Sequence, residues 1–182
     1  MKTVACIGSI TVDIIVKPAD EIPSPGTLKA VENVDMYVGG CASNAAIDLA
    51  KIGVPCELIC TVGNDPFGEY IKSVCEKNGV GTEGVRINPA SSTTGSVVCV
   101  SKTGERSFLY KPGSTADFSL SDVCTDIIDK CDIVFVAGAF LLRDFDGKPC
   151  AEFMKKLSPK VNLLLWIRRG ILMMFGYLKS KK

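Results

Sequence analysis

Near the start of the chain, Val4-Ala5-Cys6-Ile7 is apolar at every position rather than at alternate ones, and Gly8-Ser9 stops the run within a strand's length. A strand with no polar face has to be covered on both sides, as in a parallel sheet with helices above and below. The following segments keep to that plan. Ala45, Ala46, Ile47, Leu49, Ala50 and Ile52 give residues 43–52 a helical, largely buried pattern, closed by Gly53. Residues 56–62 read as the next strand. Asp65-Pro66 then starts a second helix, with Asp as N-cap and Pro at the first helical position, ending at Asn78-Gly79. Helix over 121–129, strand over 133–136, helix over 151–157 and strand over 161–166 continue the alternation. Such an order predicts an α/β core with right-handed crossovers.

Three segments do not fit a βα alternation. Residues 10–16, residues 31–38, and a hairpin over 95–110 around the Lys102-Thr103-Gly104-Glu105 turn predict a small separate sheet, placed over the core like a lid. Asp13 interrupts an otherwise apolar, β-branched stretch, and an acid there needs a reason.

Charge and cysteine usage exclude several classes of function. Lys and Arg number 21 against 20 Asp and Glu, a net charge of +1, which offers no footprint for nucleic acid or an anionic membrane. There are nine Cys without any Cys-x-x-Cys spacing and no His, so no zinc site or Cys-His pair is expected, and no metal held by side chains. No export signal opens the chain, so the thiols are expected to be reduced and mostly buried in a cytoplasmic protein.

Gly39-Gly40-Cys41-Ala42-Ser43-Asn44-Ala45-Ala46 sits at a strand end and runs directly into a helix. Paired glycines let a ligand approach the backbone, and the helix start supplies unpaired N–H groups and a positive dipole end. Taken by itself, the segment reads equally as a strand-to-helix turn with no ligand.

Four segments in order, over roughly residues 3–157, resemble the ribokinase or PfkB family of carbohydrate kinases. They are Gly8-Ser9-Ile10-Thr11-Val12-Asp13, the Gly39-Gly40 to Asn44 turn, Thr61-Val62-Gly63-Asn64-Asp65-Pro66-Phe67-Gly68, and Lys111-Pro112-Gly113-Ser114-Thr115-Ala116-Asp117. The resemblance implies a ribokinase-like α/β fold, here an incomplete parallel sheet with flanking helices and a small β-sheet lid. It implies a sugar or nucleoside site between core and lid, served by ATP and Mg2+ in the intact family. By position Asp13 accepts hydrogen bonds from two sugar hydroxyls, while Gly39, Gly40 and Asn44 complete a polar floor with Thr11 and Cys41 beside it. Cys99 and either Phe108 or Tyr110 are the implied lid contacts, and the lid is an implied homodimer interface. Simpler readings stand beside these: Asp13 as a solvent-facing acid, Asn44 and Asp65 as helix caps, Arg106 as a surface charge.

The sequence departs from the family at Cys41, where ribokinases carry Lys, at Asn64, which replaces an acid, and at Ala137-Gly138-Ala139, where some relatives place a binding Glu. The family's phosphoryl-transfer turn, of Gly-Ala-Gly-Asp type, has no counterpart in these 182 residues. The expectation is a sugar-binding half without the catalytic half over residues 1–160, followed by an apolar and basic tail over 161–182. The tail reads either as an amphipathic membrane or partner helix ending in Lys179, Lys181 and Lys182, which the Arg168-Arg169-Gly170 break disfavours, or as the product of a one-base slip. With synonymous codons chosen for residues 166–177, the shifted frame spells Leu-Asp-Thr-Ala-Trp-Asp-Phe-Asp-Asp-Val-Trp-Leu, which looks like the strand and loop expected next in the family. The competing class is a non-catalytic binding or dimerising module. A dinucleotide-binding enzyme is disfavoured, because Gly39-Gly40 lacks the Gly-x-Gly-x-x-Gly form.

Overall fold

The computed structural model describes residues 2–157, 163–168 and 171–175. Strand β1 (Val4–Gly8) is buried along its whole length and lies inside a sheet, as a strand without a polar face requires. Its neighbours are β4 (Cys56–Gly63) on one side and β8 (Ile133–Ala137) on the other, both parallel to it. Beyond β4 lies β5 (Val85–Asn88), and beyond β8 lies β9 (Leu163–Arg168), each again parallel. β10 (Ile171–Phe175) adds antiparallel to β9, giving the order β10-β9-β8-β1-β4-β5.

Successive residues of β1 point into different cores. Val4 and Cys6 join Leu58 and Cys60 under α1 (Cys41–Lys51) and α2 (Pro66–Lys77), where Ala42, Ala46, Ile47, Ile71 and Cys75 meet them. Ala5 and Ile7 join Ile59, Val134 and Val136 under α4 (Thr125–Ile128) and α5 (Lys148–Leu157). There Phe118, Phe145 and Phe153 stack edge to face at 5.3 and 5.5 Å. Most of the nine cysteines serve these cores, among them Cys56 and Cys60 on one face with Cys6. Burial, with Glu76 adding to it, pushes the Cys75 thiol up to about 11.

The second sheet has the order β3-β2-β6-β7, formed by β2 (Thr11–Lys17), β3 (Asn33–Gly39), β6 (Gly95–Val100) and β7 (Arg106–Lys111). It grows from the end of β1, since only Ser9 and Ile10 separate β1 from β2. The fold is the expected ribokinase-like α/β core with a small sheet beside it.

Some local expectations need correction. Residues 121–129 do not form one helix: Ser119 and Asp122 close a capping box on a 3-10 turn, Val123 is extended, and one helical turn, α4, follows. The short edge strand β5, the turn α3 (Gly113–Ala116) and β10 were not foreseen. Among the described residues no helix is long and apolar enough to cross a membrane, and no cluster of His, Cys, Asp or Glu could hold a metal ion. The expected boundary at residue 160 lies outside the described residues.

Candidate functional site

Three chain segments meet where the lid joins the core. Gly40 takes φ +103°, and a side chain there would strike the Ile10 Cα and Ser9 carbonyl oxygen at 2.5 Å. That closeness lets Ser9 serve the start of α1: Cys41 N donates to Ser9 Oγ and Ala42 N to Ser9 O, both at 3.1 Å. Two of the first N–H groups of α1, those of Cys41 and Ala42, are therefore already satisfied within the fold. Side chains at this turn add to what the backbone offers a ligand. Cys41 and Asn44, three residues apart on the first turn and both exposed, are the ones offered. Gly40 is the N-cap of α1, so Asn44 is not a cap.

Asp13 stands in β2, opposite Tyr37 in β3 and Ser96 in β6, and Ser96 in turn lies opposite Tyr110 in β7. These four residues form a row across all four strands, on one face because directly paired residues share a face. The next row outward is Asp35-Ile15-Val98-Phe108. Ser96 Oγ donates to Asp13 Oδ1 at 2.5 Å, and Thr11 Oγ1 lies 3.4 Å from the same oxygen. Gly39 pairs with Thr11, and a Cβ at Gly39 would come within 2.2 Å of Asp13 Oδ2. Only glycine at position 39 leaves the carboxylate where it is. Tyr37, Phe108 and Tyr110 are 50, 57 and 47% exposed, so the face around Asp13 is open and aromatic.

The structure brings Asp13, Thr11, Gly39, Phe108 and Tyr110 to one face of the lid and sets Gly40, Cys41 and Asn44 at its root. Cys99 does not join them. It pairs with Val16 and Ser107, one residue out of phase with Ser96 and Val98, and so belongs to the other face. Ser96 and Val98 hold the places expected for it, and neither was singled out from the sequence. On that other face a cavity of about 590 Å3 opens between the lid and α2, lined by Ile14, Phe67, Val97 and Leu109. Asp13 is not among its walls, although Asp65, Thr93, Ser96, Tyr110 and Lys111 also line it.

Buried hydroxyls pin the lid root. Thr115 Oγ1 donates to Ile10 O at 2.8 Å, Thr94 Oγ1 to Pro112 O at 2.6 Å, and Thr61 Oγ1 to Ser114 O at 2.7 Å. Asp65 does more than cap α2 through Gly68 N. It also accepts from Thr93 N at 2.7 Å and Thr93 Oγ1 at 2.6 Å, tying the helix to the segment that enters β6. Burial alone would raise its pKa, but the bonds from Thr93, Gly68 and Phe67 outweigh that and hold it below its ordinary value. At Gly138, φ +93°, a Cβ would fall 2.2 Å from Ser9 Oγ, so packing explains why no side chain stands there.

The family model of the pfkB family carbohydrate kinases matches residues 1–162. This chain belongs to that family. As a pfkB family member it is 32% identical over 174 residues to an uncharacterized sugar kinase of Pyrococcus horikoshii, covering 92% of this chain and 54% of that protein. It is 27% identical over 180 residues to fructokinase-2 of Solanum lycopersicum, covering 90% of this chain and 52% of that one. The structure of the P. horikoshii kinase in complex with ATP superposes with a TM-score of 0.74 over 92% of this chain and 54% of that one, at 28% identity. Ribokinase from Giardia lamblia superposes with a TM-score of 0.75 at 20% identity, covering 91% and 54%, a likeness of fold. This chain spans about half the length of the curated relatives it matches.

Proposed function

We propose that this chain supplies the acceptor-binding half of an ATP-dependent sugar kinase. The observation that carries the reading is Asp13, an acid in an apolar strand of a pfkB family member, held by Ser96 and flanked by a glycine that leaves its carboxylate room. Asp13 accepts hydrogen bonds from sugar hydroxyls and fixes the orientation of the acceptor. Asn44 and Cys41 contact the sugar from the first turn of α1, and Phe108 and Tyr110 cover it from the lid. The open aromatic face of the lid supports its pairing with a second copy.

ATP with Mg2+ supplies the phosphoryl group in the intact protein. The glycine turns at Gly40 and Gly138 offer no open cradle for nucleotide phosphates, because Ser9 packs against both. The chain taken alone is therefore read as binding without turnover. The family match ends at residue 162, but β9 (Leu163–Arg168) still adds parallel to β8, so the tail foreign to the family is read as beginning after β9. Sequencing the gene through the codons for 157–182 and several hundred bases onward tests the slipped frame. A family-like frame offset by one base, carrying a Gly-Ala-Gly-Asp turn, is the expected result, and unrelated sequence there removes that account.

Titration calorimetry of the pure chain with D-fructose and D-ribose, beside Asp13→Ala, tests the binding reading. Sugar-dependent heat abolished by Asp13→Ala is expected, with no sugar phosphate formed from ATP. Equal binding by the variant overturns the role of Asp13, and measurable turnover overturns the proposed inactivity.

A further inference from the structure

The transverse row Tyr37-Asp13-Ser96-Tyr110 carries more than an acid. Ser96 has one proton to donate, and Asp13 Oδ1 takes it at 2.5 Å. Thr11 likewise has one, with Asp13 Oδ1 and the carbonyl oxygens of Val12 and Thr94 within 3.3–3.4 Å of its hydroxyl. With these protons committed, what the centre of the row has left for a ligand is lone pairs: those of the two carboxylate oxygens and of Ser96 Oγ. A group bound there has to donate.

Charge points the same way. The next row outward holds a second acid, Asp35, opposite Ile15. The cations of this face, Lys17 and Arg106, stand two rows out from Asp13 and Ser96, and the Arg106 guanidinium lies 6.0 Å from the Phe108 ring centroid. On the first turn of α1 the exposed residues are Cys41 and Asn44, neither of them cationic. Hydroxyl groups meet this demand for donors. A carboxylate or phosphate of an acidic sugar offers acceptors to acceptors and a negative charge to Asp13.

We infer that the site selects neutral, hydroxyl-rich sugars or nucleosides against anionic ones, and that Ser96 is the positioning residue on which this selection rests. The inference builds on the reading of the Asp13 face as an acceptor site. By donating to Oδ1, Ser96 holds the carboxylate in one orientation and turns its own oxygen into a further acceptor. Ser96 is 8% exposed and paired within the sheet, so it is set in place before any ligand arrives.

Titration calorimetry of the 182-residue chain with D-fructose, D-ribose, adenosine and D-gluconate tests this, on wild type, Ser96→Ala, Ser96→Thr and Asp13→Ala. A neutral ligand is expected to bind wild type at least about tenfold more tightly than gluconate. Ser96→Ala is expected to weaken the neutral ligand about tenfold, the scale of one hydrogen bond to a charged group, and to narrow the gap to gluconate. Ser96→Thr, which keeps the hydroxyl, restores both; a purely packing role would not follow the hydroxyl. Gluconate bound as tightly as the neutral ligand, or an unchanged affinity in a folded Ser96→Ala, overturns the inference while Asp13-dependent binding keeps the acceptor site. Absence of binding by every probe removes the acceptor site and the inference together. Thermal unfolding checks each variant, and where Ser96→Ala does not fold, the wild-type preference between neutral ligand and gluconate decides alone.

Discussion

Strand β1 of the core and strand β7 of the lid are five and six residues long, yet every residue of β1 is buried and every residue of β7 is exposed. The core strand has neighbours on both edges and helices on both faces. The lid strand is bonded along one edge to β6, and its Leu109, Phe108 and Tyr110 stay open. Apolar side chains in the core are explained by the fold that covers them. Similar side chains in the lid are explained only by something that arrives later, a ligand or a second chain.

The strongest way to break this contrast is to cut both sheets. Ile7→Ala removes a fully buried side chain between two sheet neighbours and is expected to cost about 2–5 kcal/mol in urea unfolding. A cost under about 1 kcal/mol would mean that the core is not what holds the chain together. Gly39→Ala comes next, and it separates binding from folding. The new methyl meets the end of the Asp13 side chain, which can swing aside, so stability should change by less than about 1 kcal/mol. Sugar affinity should fall about tenfold or more, because the carboxylate leaves its place.

Asp65→Asn sharpens the contrast at the joint between the two sheets. The folded pKa of Asp65 lies below the ordinary 3.8, so its charge stabilises the protein above that pH and the contribution fades as the pH falls through the folded value. Wild type should therefore exceed the Asn variant in thermal midpoint at pH 7, and the difference should shrink below about pH 4. A difference that does not depend on pH would assign the role to capping geometry instead. The smallest effect is expected from Phe108→Ser, within about 0.5 kcal/mol of wild type for an exposed lid residue. A loss above about 2 kcal/mol, or a drop in sedimentation coefficient, would show that this face is already covered in solution.

Residue types and spacing were enough to read most elements. The unbroken apolar run of β1, the Asp65-Pro66 start of α2 and the hairpin around Lys102-Thr103-Gly104-Glu105 are signals held within a few residues. Where local signals were weak the reading missed: β5 has no fully buried residue, and the helix expected over 121–129 lost to the Ser119-Asp122 capping box. Within the site, Asp13 was legible because an acid stands out in a β-branched strand. Ser96 was not, since a serine in a strand is unremarkable until its partner is known.

By itself the sequence determined which segments are strands and helices, that the core sheet is covered on both faces, and that Asp13 needs a reason. Those properties follow from periodicity and burial, which are local. Tertiary structure decided the phase of β6 against β2, and with it that Ser96 rather than Cys99 shares the face of Asp13. It also decided that Ser9 takes the first N–H groups of α1 and that Asp65 holds Thr93. Asp13 and Ser96 are 83 residues apart along the chain. A shift of one residue in strand pairing would turn every side chain of β6 to its other face, and only the folded register fixes that choice.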